Sequence, residues 1–190
     1  MKDSTTLSKS SFGNPVLRTR ARQLSVDEIK LDEVQQLISN IKHTLQEKKY
    51  GIGLAAPQLG KSVALSVIYI RPTKTRPNLP KSEWADLVII NPQITEKSKE
   101  TKSYWEGCIS LTDVFAKVLR HKTIKIKYLD ENAKSQEKQF SGLLAHVIQH
   151  EVDHLNGILY VDRVKDSKTY MSATEYRKRI VKKEKHSQYS

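Results

Sequence analysis

The chain has 190 residues, with 33 Lys and Arg against 21 Asp and Glu for a formal net charge of +12, and 37% of it is hydrophobic. That length suffices for one domain with its own core, and no run approaches the ~20 apolar residues of a membrane-spanning helix. A single cysteine, Cys108, excludes a disulfide framework within the chain and points to a reducing compartment.

The first segment, MKDSTTLSKSSFGNP, lacks the apolar run of a secretory signal, and residues 1–11 read as a flexible N-terminus. Ser25 followed by Glu28 forms a capping box. Ile29, Val34, Leu37, Ile38, Ile41 and Leu45 then recur at helical spacing, predicting a helix over 26–49. Gly51 and Gly53 end it and open GIGLAAPQLG, read as a loop. SVALSVIYI (62–70) reads as a buried strand, the proline-rich stretch up to residue 86 as an exposed loop, and LVIINPQI (87–94) as a second strand. KVLRHKTIKIKYLD (117–130) alternates as a half-buried strand, ENAK turns, and QEKQF pairs back as a hairpin. Ser141 caps a helix over about 142–155, which Asn156-Gly157 stops. ILYVDRV reads as a short strand, and Ser172 with Glu175 opens a basic C-terminal helix. Two or three helices with six or seven mostly antiparallel strands make an α+β domain.

The helix over 142–155 carries His150, Glu151 and His154 in the run QHEVDHLNG. His-Glu-x-x-His puts two imidazoles one turn apart on one face, able to share one divalent metal, with a glutamate better suited to moving protons than to ligating. Leu143, Leu144, Val147, Ile148 and Leu155 surround them. Imidazoles and a carboxylate buried among such residues need a partner, and a metal supplies one. Two histidines leave a tetrahedral site short. Downstream, His186, Glu175 and Glu184 stand at no convincing spacing, which argues against a metalloprotease. Upstream, Cys108 offers a thiolate, and one thiolate with two imidazoles leaves a fourth place for water. Such a donor set admits iron, zinc, nickel or cobalt. A structural metal in an RNA-binding protein and another metallohydrolase remain as alternative readings.

GIGLAAPQ (51–58), EGCIS (106–110) and QHEVDHLNG (149–157) resemble the three signature motifs of the peptide deformylase family, in order and at the family's separations. GNPVLR (13–18) and the INP turn (90–92) are similar as well, so the resemblance spans roughly residues 12–165. It implies antiparallel sheets packed around a central metal-binding helix. It also implies removal of the formyl group from formylmethionyl nascent peptides, by a metal-bound water of lowered pKa. By resemblance Cys108, His150 and His154 hold the metal, most often Fe²⁺, with Zn²⁺, Ni²⁺ or Co²⁺ able to replace it. Glu151 is the general acid and base, and the Gln58 amide and the Ile109 N–H donate to the oxyanion. Gly53 lets a peptide backbone approach closely, while Ile52, Tyr104, Glu106, Leu143, His146 and Val147 wall the methionine pocket. The chain departs from the family where Thr112 replaces a common proline, and where Phe115 stands near the place of a substrate-holding arginine. A more apolar rim at Phe115 predicts a shifted preference for the residues after methionine.

From Arg163 onward nine Lys or Arg face three acids, a net of +6 and half of the whole charge. Residues 166–190 therefore read as a basic C-terminal helix and tail. A polyanionic partner is expected there, and the resemblance makes it the ribosome. No membrane or DNA partner is expected. The implied location is the bacterial cytoplasm or an organelle.

Overall fold

The computed structural model describes residues 8–48, 51–72 and 77–181. The Ser25 hydroxyl accepts from the Glu28 N–H at 3.2 Å and the Glu28 carboxylate accepts from the Ser25 N–H at 2.8 Å, so the capping box is complete. It opens two helices and not one. Helix α1 (Val26–Lys30) stops at Leu31, whose backbone is extended, and α2 (Asp32–Lys48) starts immediately after it. The cause is a slip of phase: Ile29 and Val34 lie five residues apart, and a straight helix could not bury Ile29 together with Ile38 and Ile41.

The glycine-rich segment expected to be a loop contains a short strand, β1 (Gly53–Ala55), and a 3-10 turn, Ala56–Leu59. Next come β2 (Leu65–Ile70), β3 (Ala85–Lys97), β4 (Thr101–Cys108), β5 (Leu111–His121), β6 (Thr123–Leu129) and β7 (Ser135–Ser141). The single strand expected over 117–130 is two strands that belong to different sheets. The order β1-β2-β3-β6-β7 forms a five-stranded antiparallel sheet. The other sheet is β4-β5-β8, where β8 is Met171–Ser172. Strand β4 has no hydrophobic signature, because the inward positions Glu106 and Cys108 are given to polar residues that line the site. The strand expected at ILYVDRV is a 3-10 turn, Tyr160–Arg163, which the Asp162 carboxylate closes by accepting from the Leu159 N–H at 2.8 Å.

Both faces of the larger sheet are covered. Leu65, Val67, Val88 and Ile90 pack with Ile29, Ile38, Ile41 and Leu45 of α1 and α2. The alternate residues Ile68, Ile70, Ile89, Ile124 and Ile126 pack with Ala145, Val147, Ile148 and Val152 of α3 (Gly142–Leu155). Strict alternation thus sends each strand's side chains to two cores. A further small cluster of Ala116, Val118 and Tyr160 backs the second sheet against the turn Tyr160–Arg163. Helix α3 is buried along almost its whole length, with His150 the partly open residue between Ala145 and Leu155.

Ser141 stands at the N-cap of α3, but its hydroxyl makes no capping bond. The start is set instead by Gly142, at φ +60°, whose N–H donates to the Lys122 carbonyl where the chain crosses between sheets. At the far end Gly157 N–H bonds the His154 carbonyl and Ile158 N–H the Asp153 carbonyl, a Schellman stop with Gly157 at φ +72°.

The C-terminal capping box is half formed. Ser172 accepts from the Glu175 N–H at 3.3 Å and opens α4 (Ala173–Tyr176), but the Glu175 carboxylate turns to Arg179. Residues 8–12 strap across the motif loops: Ser10 N–H donates to the Gln58 carbonyl at 2.6 Å and Phe12 N–H to the Ser110 carbonyl at 2.7 Å. Of the flexible N-terminus expected over 1–11, residues 1–7 lie outside the described residues, as does the tail beyond Val181.

A Cβ on Gly157 would lie 2.7 Å from the Arg18 carbonyl carbon and oxygen, in a backbone conformation that side chains disfavour. Gly157→Ala is therefore expected to lower the unfolding free energy by about 2–4 kcal/mol, measured by urea denaturation.

Candidate active site

Cys108 ends β4, and its Sγ lies 3.3 Å from His154 Nε2, which lies 3.2 Å from His150 Nε2. These three donor atoms all fall within 4.8 Å of one another. Strand alternation puts Glu106 on the same side of β4 as Cys108, and α3 presents His146, His150 and His154 at intervals of four. The His150 Nδ1 lies 2.8 Å from Glu106 Oε2. A carboxylate can only accept, so Nδ1 carries the proton and Nε2 turns a lone pair to the cluster.

Burial raises the Cys108 thiol, but the His154 and His150 imidazoles outweigh it and hold the group well below its ordinary range. Burial pushes the Glu151 carboxyl up to about 7, against the opposing pull of His150 and His154. Glu151 Oε2 and His154 Nδ1 are buried with no hydrogen-bond partner among the described residues. A thiolate and two imidazoles converging beside an unpartnered carboxylate oxygen fit a tetrahedral divalent ion with one place left open.

A cavity of about 450 Å³ opens over this cluster. Ile52, Gly53, Gln58, Glu106, Cys108, Ile109, His146, Val147, His150 and Glu151 all line it. Gln58 Nε2 lies 3.2 Å from Cys108 Sγ, and its Oε1 accepts from the Ala55 N–H at 2.9 Å, which fixes the amide's orientation. Ile109 follows Cys108, and its carbonyl accepts from Lys9 Nζ at 2.8 Å. Gly53 meets a second demand beside backbone approach. A Cβ there would fall 2.3 Å from Glu151 Oε1, so the carboxylate sits where only glycine leaves room. Two residues expected in the pocket wall stand behind it. Tyr104 stacks on the His146 ring at 4.1 Å and 15°, and Leu143 packs against the apolar cluster under the larger sheet.

The polypeptide deformylase family model matches residues 10–170. Peptide deformylase 2 of a Nostoc species is 35% identical over 174 residues, 92% of this chain and 94% of that protein. The peptide deformylase of Christiangramia forsetii is 40% identical over 163 residues, 83% and 81% of the two chains. A class I type b peptide deformylase from Acinetobacter baumannii, solved with Met-Ala-Ser bound, superposes with a TM-score of 0.80 at 36% identity, covering 85% of this chain and all of that one.

The chain belongs to the polypeptide deformylase family. It is a hydrolase of the class that removes formyl groups from the N-termini of new peptides, a family that uses a divalent metal.

Beneath the deformylase motifs lies a charge network that the sequence reading missed. Arg120 on β5 donates from Nε to Glu106 at 2.7 Å and from a terminal nitrogen to its other oxygen at 3.0 Å. Its remaining terminal nitrogen reaches Asp153 at 2.6 Å, and Asp153 also accepts from Arg163 at 2.8 Å. Glu106 accepts from His146 at 3.0 Å as well as from His150. Burial raises the Glu106 carboxyl, but hydrogen bonds from His146, His150 and Arg120 more than reverse this and keep it ionised far below the usual carboxylate range. Glu106 therefore lines the cavity as the anchor of an imidazole. A signal for Arg120 was present: Ala116, Val118 and Arg120 share one parity on a strand, and a charge on the inward parity requires a carboxylate partner.

Glu106→Gln leaves the buried Arg120 with Asp153 as its remaining carboxylate, itself shared with Arg163, and weakens the hold on the His150 ring. It is expected to cost roughly 3 kcal/mol of stability by chemical denaturation. In a chelator-competition titration the same variant should bind metal about 10–100-fold more weakly.

Proposed function

We propose that the chain hydrolyses the formyl group of formylmethionyl nascent peptides at the cavity over Cys108, His150 and His154, with Glu151 as the group that carries the proton. The convergence of those three donors beside the buried, unpartnered Glu151 oxygen supports this reading most strongly. A divalent ion held by the three donors would lower the pKa of a water and polarise the formyl oxygen. Fe²⁺ is the proposed native ion, with Zn²⁺, Ni²⁺ or Co²⁺ able to take its place, since a sulfur and two imidazoles suit all four.

The chain's own residues do the rest. Glu151, raised to about 7 by burial, is poised to take a proton from the attacking water and hand it to the departing amine. The Gln58 amide, fixed through Ala55, and the Ile109 N–H would donate to the oxyanion as the formyl carbon becomes tetrahedral. Glu106 holds the His150 ring, and Gly53 leaves space for the Glu151 carboxylate and for a substrate backbone beside it. Ile52, His146 and Val147 line the cavity where the methionine side chain would lie, with Tyr104 and Leu143 supporting them from behind. The Acinetobacter baumannii relative holds Met-Ala-Ser, the deformylated form of a test substrate, which supports a tripeptide of that kind as the ligand here.

In a formate-release assay with formyl-Met-Ala-Ser, nickel-loaded wild type is expected to turn over, and Glu151→Gln to lose about 10²–10⁴-fold in kcat while still binding one ion. Loss of metal in that variant, or unchanged turnover, would contradict the assignment.

We further propose that the basic segment beyond Arg163 docks on ribosomal RNA, in the bacterial cytoplasm that its relatives suggest. Among the described residues no helix is long and apolar enough to cross a membrane. Since β8 and α4 lie against the cavity, charge reversal tests this better than truncation. Lys178→Glu with Lys182→Glu and Lys183→Glu is expected to abolish low-salt co-sedimentation with ribosomes while leaving tripeptide turnover intact.

A further inference from the structure

The C-terminal segment carries part of the cavity wall, and this gives one of its cations a use that a solvated tail would not. Val114 pairs with Ser172 and Phe115 with Met171, which lays β8 along the start of β5. The Tyr176 ring then stacks on Phe115 at 4.1 Å and 2°, and meets Trp105 edge-on at 5.7 Å. Phe115 in turn lies so close over Gly107 that a Cβ there would fall 2.5 Å from its ring. Phe115 and Tyr176 thus form one aromatic stack seated over the Gly107 backbone and fixed by strand pairing at its base. Ala173, Tyr176 and the exposed Arg177 line the cavity.

Arg177 follows Tyr176 directly, is exposed, and has no ion pair or side-chain hydrogen bond among the described residues. Its neighbour Arg179 is turned away to Glu175. Among the described residues, the exposed charges on the cavity lining are Lys9, Asp113 and Arg177. Lys9 Nζ is bonded to the Ile109 carbonyl, and the three charges together leave this lining one positive charge in excess. The lining carboxylates Glu106 and Glu151 are both buried, so neither is offered to the rim. A guanidinium presented from a fixed aromatic base is suited to receive a carboxylate.

We infer that Arg177, held at the cavity mouth by Tyr176 on Phe115, is a specificity-determining residue that favours peptides with an acidic side chain shortly after the formylmethionine. The inference rests on reading this cavity as the formyl-peptide site. An exposed pair of this kind discriminates by about 2–5-fold and weakens as salt screens it.

The test uses the full-length, nickel-loaded protein carrying Glu151→Gln, so that peptides bind without turning over. Calorimetry compares formyl-Met-Ala-Glu with formyl-Met-Ala-Lys, both amidated at the C-terminus to remove the terminal carboxylate. The acidic peptide is expected to bind about 2–5-fold more tightly. Adding Arg177→Ala should bring the ratio to unity, and Arg177→Glu should reverse it. Lys178→Glu, an exposed neighbour off the cavity lining, should leave the ratio where it was. Ratios that ignore both Arg177 substitutions overturn the inference, as does a Lys178→Glu shift equal to that of Arg177→Glu. Failure of both peptides to bind the parent protein would overturn the formyl-peptide reading of the cavity and this inference with it.

Discussion

The site depends on one buried arginine. Arg120 is 5% exposed and joins three elements at once: its own strand β5, Glu106 on β4 and Asp153 on α3. Without it, Glu106 would be a carboxylate buried against two imidazoles, and Asp153 would keep only the half-exposed Arg163 as a partner. Burying such charges is tolerated only when they are paired and hydrogen-bonded, and here every arm of the guanidinium is used. The pairing fixes the distance between the strand that supplies Cys108 and the helix that supplies His150 and His154. The metal-binding geometry is thus a by-product of how the molecule resolves its buried charge.

The packing around α3 enforces the same constraint from outside. One side of the helix is clamped to the larger sheet by Ala145, Ile148 and Val152. Gln149 mimics a strand partner at the end of β5, with its amide bonded to both the N–H and the carbonyl of His121. A helix held in this way cannot rotate to relieve strain at the site, so Gly53 must give way to Glu151, and does so by lacking a side chain. The strap of residues 8–12 then ties the loop that carries Gln58 to the one that carries Ile109. The elements that carry the three motifs are held by bonds that do not involve the metal.

The chemistry was more legible in the sequence than the architecture. Metal ligation and proton transfer demand particular residue types at fixed spacing, and His150, Glu151, His154 and Cys108 stand out for that reason. The crossing between sheets left no such mark. Ala116, Val118, Arg120, Ile124, Ile126 and Tyr128 keep one parity through Lys122, so a period of two runs across the crossing without a slip and reads as one strand. The break in the first helix did leave a mark, the five-residue step from Ile29 to Val34. Strand β4 escaped because Glu106 and Cys108 break any apolar alternation, and they are polar because they serve the site. The position of Tyr176 was hidden in a segment whose composition is dominated by charge, since a single aromatic stack has no periodicity to betray it.

X-ray absorption at the metal edge of the loaded protein reads the donors of the Cys108, His150 and His154 cluster themselves. One ion per chain is expected, bound by one sulfur and two imidazole nitrogens, with a metal–sulfur distance of ~2.3 Å for zinc. A shell without sulfur, or an unchanged spectrum and affinity in Cys108→Ser, would contradict this ligand set.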